Sequence, residues 1–133
     1  MNELKQRILA ENKEDLSEIE DQLSENLKPY LDLVSEVAHH ILFAGGKRLR
    51  PLLLVLAAKL CDYKDKYAKT VASAMEYLHA ATLLHDEIID DAILRRGKKV
   101  AHSLYGNAVT VLVGDFLLAR ALAICADSGK IKV

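Results

Sequence analysis

Asp86, Glu87, Asp90 and Asp91 place four carboxylates within six residues, and Arg95, Arg96, Lys98 and Lys99 follow as four cations within five. On a helix, Asp86 and Asp90 stand one above the other, because residues four apart share a face. Their carboxylates can then converge on one point outside the helix. Glu87 and Asp91 form a second such pair, rotated by about 100°. Convergent carboxylates without sulfur or several imidazoles suit a hard cation, Mg²⁺ above all, which keeps water and shares itself with phosphate oxygens. Acids in the last turns of a helix also oppose its dipole and repel one another, and a cation relieves both effects. The plainer alternative is an acidic helix end neutralised by Arg95 and Arg96. Spacing alone leaves both open.

Two further groups carry positive charge. The stretch GGKRLRP, Gly45 to Pro51, follows one predicted helix and opens another. Paired glycines admit backbone conformations closed to other residues and let a ligand come close. Lys47, Arg48 and Arg50 are expected to point away from that turn, a point charge and two planar forks of the kind used to hold diphosphate. RRGKK supplies the second group. Taken singly, each reads as a solvated helix junction or an ordinary basic loop. Taken together with the acids, they suit a site for two phosphorylated substrates, at least one bound through metal. His79 joins the same set, since Met75, His79, Thr82, Asp86 and Asp90 recur on one helical face.

A rival constellation uses other residues. Glu36-Val-Ala-His39 and Glu76-Tyr-Leu-His79 are both Glu-x-x-His, and with Glu25 and Glu87 they would make a di-iron carboxylate site in a four-helix bundle. That reading leaves both cationic stretches without a task and ranks second. His39 and His40 are read as surface or packing residues, Tyr77 and Tyr105 as packing residues, and Asp115 with Arg120 as a buried polar contact. Cys61 and Cys125 form no CxxC pair and read as small hydrophobes in a reducing compartment.

The elements that must position these groups are helices. Strand signals are almost absent, and only two prolines and six glycines interrupt the 133 residues. Leu16, Ile19, Leu23 and Leu27 step at three and four; Pro29 opens a second stripe through Ile41; Pro51 sits in the first turn of a third helix. A long helix is predicted from about Lys66 to Asp91, a single turn at AHSLYG, and a last helix from Asn107 to about Asp127. That last segment is apolar on nearly every face, but Asp115 and Arg120 in its middle argue against a membrane span. It is expected instead to be the central helix of a larger bundle, with more helices following. The fold class is all-α, an antiparallel bundle forming one domain over 1–133. Net charge is −1, with −5 in residues 1–25 and +4 beyond, which excludes a general nucleic-acid binder. The charged N-terminus has no signal-peptide core, so the cytoplasm is the expected location.

In order and spacing, GGKRLRP, then EYLHAATLLHDEIIDDAILRRG, then GDFLLARA resemble the N-terminal half of the trans-polyprenyl (isoprenyl) diphosphate synthases, over roughly residues 15–130. The resemblance implies an all-α isoprenoid synthase fold around a central cavity, a homodimer, and Mg²⁺ as cofactor. It implies condensation of isopentenyl diphosphate with an allylic diphosphate. Asp86 and Asp90 then correspond to the outer metal ligands, Arg95 to a contact with the allylic diphosphate, and Lys47, Arg50, His79 and Arg96 to the isopentenyl diphosphate pocket. Glu87 departs from the usual aspartate and is expected beside the metal rather than on it. The small Ala81 and Thr82 imply a medium or long product, as in octaprenyl-type synthases. The family's second aspartate-rich motif has no counterpart here, so the resemblance implies half of an active site and little activity alone. A non-catalytic subunit of a heteromeric synthase is the alternative.

Overall fold

Helical periodicity without internal proline builds seven helices and one small hairpin among the described residues. They are α1 (Glu3–Glu11), α2 (Lys13–Glu25), α3 (Asp32–Leu42), α4 (Leu49–Leu60), α5 (Tyr67–Ile89), β1 (Leu94–Arg95), β2 (Lys98–Lys99), α6 (Ala101–Tyr105) and α7 (Asn107–Ala126). The computed structural model describes residues 3–28 and 30–127. Pro29, expected to open a helix, lies outside the described residues. Pro51 falls in the first turn of α4 and is buried there, where its missing N–H has no helical partner to lose.

The 23-residue α5 is the central element, packed against α2, α3, α4, α6 and α7. Alanines at 72, 74, 80 and 81 let these neighbours approach, while Tyr77 and Leu84 fill the space between them. Each fully buried large side chain contributes on the order of 1.5–3 kcal/mol of transfer free energy. Ile19 and Leu23 on α2, Leu27 just beyond it, and Val37, Ala38 and Ile41 on α3 complete the same core. The buried Tyr77 hydroxyl donates to the Leu23 carbonyl at 2.6 Å, tying α2 to α5.

Among the described residues α5 is the most widely packed element, and α7 lies on one side of it. By length and composition α7 is apolar enough to cross a membrane, yet only a third of it is buried: Val113, Leu117, Ala121 and Ile124 face the core, whereas Leu112 and Leu122 are exposed. Three expectations need correction. Asp115 and Arg120 do not meet. Five residues apart is about 500° around a helix, which puts them on different sides. Asp115 pairs with His85, and Arg120 donates to Asn26 at 3.1 Å and stacks over Tyr30. Both cysteines are free and exposed rather than packed. Finally, α1 and the hairpin were not expected. α1 buries no residue, so no apolar stripe announced it, and each strand is two residues long.

Candidate functional site

Beginning with the backbone, three turns bring the cations together. Gly45 takes φ +91° at the exit from α3, and Arg48 is itself left-handed at φ 48°, ψ 36° as the residue before α4. The hairpin closes through Arg96 and Gly97, both at positive φ (50° and 77°), with Arg95 paired to Lys98. That is the geometry of the tight loops that match strand twist. An extended strand would send Arg95 and Arg96 to opposite faces. The left-handed turn at Arg96 removes that alternation, and both line one cavity.

The cavity encloses about 550 Å³. Lys47, Arg50, His79, Arg95 and Arg96 all border it, together with Arg48, Glu76 and the Gly45–Gly46 backbone. Five groups expected at the site from sequence are therefore adjacent in space. Arg48 is different from its neighbours. Its side chain is 8% exposed and turns inward to Glu20 and Glu76, against the expectation that it points out with Lys47 and Arg50.

Asp86 and Asp90 lie outside the cavity wall, on the exposed face of α5 beyond His79. The seven residues from His79 to Asp86 span about 10 Å of helix. Thr82, between them, is exposed, and its hydroxyl donates to the His79 carbonyl at 2.8 Å. Ala81 is buried in the core instead. Neither Asp86 nor Asp90 forms an ion pair among those described. Asp90 caps the C-terminal end of α5, where the helix dipole disfavours an anion. Two exposed, unneutralised carboxylates four residues apart fit a hard cation that takes its other ligands from water and phosphate. Glu87 behaves otherwise: it is buried, its Oε1 lies 3.4 Å from Arg95, and its Oε2 has no partner.

The di-iron arrangement does not assemble. Glu76 is held by Arg48, Glu36 accepts from the Tyr105 hydroxyl at 3.0 Å, and Glu25 pairs with Lys28. Among the described residues no three His, Cys, Asp or Glu side chains gather at one point.

Several supporting residues were not found from sequence. His40 Nε2 donates to the Lys99 carbonyl at 2.8 Å and anchors the hairpin; His102 does the same for Ala92 at 2.7 Å. His85 reaches Val111 O at 3.2 Å where α5 crosses α7, and a Cβ on Gly114 would sit 2.3 Å from its Nε2. A larger residue at 114 would require the His85 ring to turn away from its contact with Val111. The one advance signal for these roles is the Gly114-Asp115 dipeptide within an apolar run.

Electrostatics single out His79. Burial first, then Arg50, and further Arg95 and Arg96, hold its pKa below the ordinary 6.5, with Glu76 opposing. With its folded pKa below the unfolded one, the unfolded chain takes up the proton first. His79 therefore works against folding as pH falls below 6.5, and not above it. An anion in the cavity cancels the field of the arginines. Saturating inorganic diphosphate is thus expected to move the His79 imidazole titration, followed by NMR, to higher pH. An unmoved curve would place the anion elsewhere.

The family model described as polyprenyl synthetase matches residues 31–133. Octaprenyl diphosphate synthase of Escherichia coli is 38% identical over 120 residues, covering 90% of this chain and 37% of that protein. A geranyl-diphosphate-specific all-trans-nonaprenyl-diphosphate synthase of Rhodobacter capsulatus is 40% identical over 126 residues, covering 94% and 39%. Among solved structures, the polyprenyl synthase of Caulobacter crescentus, complexed with calcium and isoprenyl diphosphate, superposes with a TM-score of 0.90 at 38% identity. That superposition covers 96% of this chain and 39% of the other. The chain therefore spans less than two fifths of the length of each of these relatives.

Proposed function

This chain belongs to the polyprenyl synthetase family and has its all-α isoprenoid synthase fold, and from that premise we propose that it forms the diphosphate-binding part of a Mg²⁺-dependent prenyltransferase. The reaction joins isopentenyl diphosphate to an allylic diphosphate and yields all-trans polyprenyl diphosphates. One observation carries the reading: four cations and His79 border a single cavity, while Asp86 and Asp90 stand unneutralised farther along the same face of α5.

Lys47, Arg50, His79 and Arg96 hold isopentenyl diphosphate in this proposal, and Arg95 holds the allylic diphosphate. Asp86 and Asp90 would hold Mg²⁺, which when bound neutralises the departing diphosphate. The allylic C–O bond breaks with its electron pair leaving on diphosphate. The isopentenyl double bond then forms the new C–C bond, and a proton is lost. The chain's contribution is orientation and preformed positive charge, placed before the reaction starts. His79 can donate a ring N–H to a diphosphate oxygen. Glu87 steadies Arg95 from beneath the hairpin and stays off the metal.

Small side chains at 81 and 82 support a medium or long, octaprenyl-type product, with Thr82 on the open face. A homodimer in the cytoplasm, with α7 in protein rather than in a membrane, completes the proposal. A single acidic pair cannot grip the metal from two sides, so the 133 residues alone are proposed to bind without appreciable transfer. A non-catalytic subunit has no use for five diphosphate-binding groups, and we rank that reading second.

Titration of isopentenyl diphosphate into the 133-residue chain tests the assignment. Charge-assisted hydrogen bonds are worth about 1.5–3 kcal/mol, so Arg50→Met is expected to weaken binding roughly 10- to 100-fold. Equal binding by the two chains would overturn the proposed pocket. Rapid prenyl transfer by the chain alone would overturn the proposal that it only binds.

A further inference from the structure

We infer that Arg48 is a positioning residue: clamped by Glu20 and Glu76, it fixes the turn that presents Lys47 and Arg50 and joins that turn to the segment of α5 that presents His79. The inference rests on the proposed diphosphate pocket and adds to it a mechanism of alignment.

Arg48 lies within a run of cations, yet its contacts are not those of a ligand-binding group. Its Nε and Nη2 form a two-pronged pair with Glu20 on α2, at 2.5 and 3.1 Å. Nη1 donates to Glu76 on α5 at 2.9 Å, and Nη2 donates to the Leu42 carbonyl at the end of α3 at 2.7 Å. The guanidinium also stacks over Phe43, 5.5 Å from the ring centroid. One side chain thus binds α2, α5 and the α3 terminus while its backbone begins α4. Two carboxylates on one guanidinium leave the cluster net negative, which is the wrong sign to attract diphosphate.

The backbone needs such a clamp. A non-glycine residue in the left-handed region is strained and persists only where its surroundings enforce it. At Arg48 no side-chain cap relieves the start of α4. The guanidinium also tucks under Gly46, where a Cβ would come within 3.6 Å of Nη1. Lys47 and Arg50 flank this fixed point in sequence, and Glu76 lies three residues before His79, on the same side of α5. Glu20 lies outside the matched segment 31–133, so an N-terminal helix takes part in aligning the site.

The test uses the sign of the effect. Glu20 is partly exposed, with 38% of its side chain accessible, so Glu20→Gln is a mild change. If Glu20 acts only through its charge, removing it strengthens binding of an anion. If it positions, removing it weakens binding. Calorimetric titration of inorganic diphosphate into the 133-residue chain is expected to show about tenfold weaker binding by Glu20→Gln. Arg48→Lys, which cannot form the two-pronged pair, should fall similarly, and Glu20→Asp should recover part of the loss. Thermal melting of each variant confirms that a folded chain was titrated. Unchanged or tighter binding by folded Glu20→Gln overturns the inference while leaving the pocket standing. If wild type and Arg50→Met bind diphosphate equally, the pocket itself fails, and the inference with it.

Discussion

Asp86→Ala is expected to weaken Mg²⁺-dependent binding of a short allylic diphosphate by about 100-fold or more, equivalent to about 2.7 kcal/mol, and Asp90→Ala should do the same. Both carboxylates are exposed, lie one helical turn apart and lack a neutralising cation among the described residues. Removing either would leave one of the two proposed ligands for a metal that dehydrates reluctantly and needs carboxylate anchoring. The effect should reverse when metal is removed. With a chelator present, each substitution deletes a negative charge near an anion site, and residual binding should be equal or slightly tighter. Binding of isopentenyl diphosphate, proposed to rest on the cations bordering the cavity, should change less than about threefold, because solvent and salt screen an exposed carboxylate a helical turn or more away. Calorimetry with and without chelator separates these terms. Strong metal-dependent binding by Asp86→Ala would remove the metal role from this helix.

Leu84→Ala is expected to destabilise the fold by about 2–5 kcal/mol, the range for deleting a large aliphatic side chain from a packed core. Leu84 is 0% exposed on α5, two residues before Asp86, and α5 packs against α2, α3, α4, α6 and α7. A loss of that size is a large fraction of the roughly 5–15 kcal/mol available to a domain. Urea denaturation followed by circular dichroism measures it as a lowered midpoint with unchanged slope. A shift below about 1 kcal/mol would mean that the α5 core collapses around the cavity, and that the helix is not the rigid frame described above.

Much of this architecture was legible because its elements obey one period. Leu16 to Leu27 and the face from Met75 to Asp90 each announced a helix with its buried or open side, and the stripe running to Ile41 is buried at Val37 and Ile41 but half open at Leu33. The cationic and acidic groups were legible for the same reason, since helical spacing can be counted without knowing the tertiary fold. What was hidden depends on distance in sequence. Arg48 reads as one cation among three until Glu20 and Glu76, each 28 residues away, are folded against it. The hairpin was hidden because two-residue strands show no alternation, and Arg-Gly is not the usual Asn-Gly turn signal. Asp115 and Arg120 were joined wrongly because opposite charges in an apolar helix invite pairing, although their angular separation forbids it. Helix α1 has no buried face and left nothing to read.

The turn at Arg96 sets two pressures against each other. Asn or Gly at that position would relieve a left-handed strain of about 1 kcal/mol and tighten the hairpin. Either change would also remove a cation that borders the cavity beside Arg95. A library sorted only for thermal tolerance would therefore drift toward Asn-Gly here and lose ligand affinity as it became hardier. A lineage that keeps Arg at this turn is, by the same reasoning, one in which use of the pocket outweighs robustness of the scaffold.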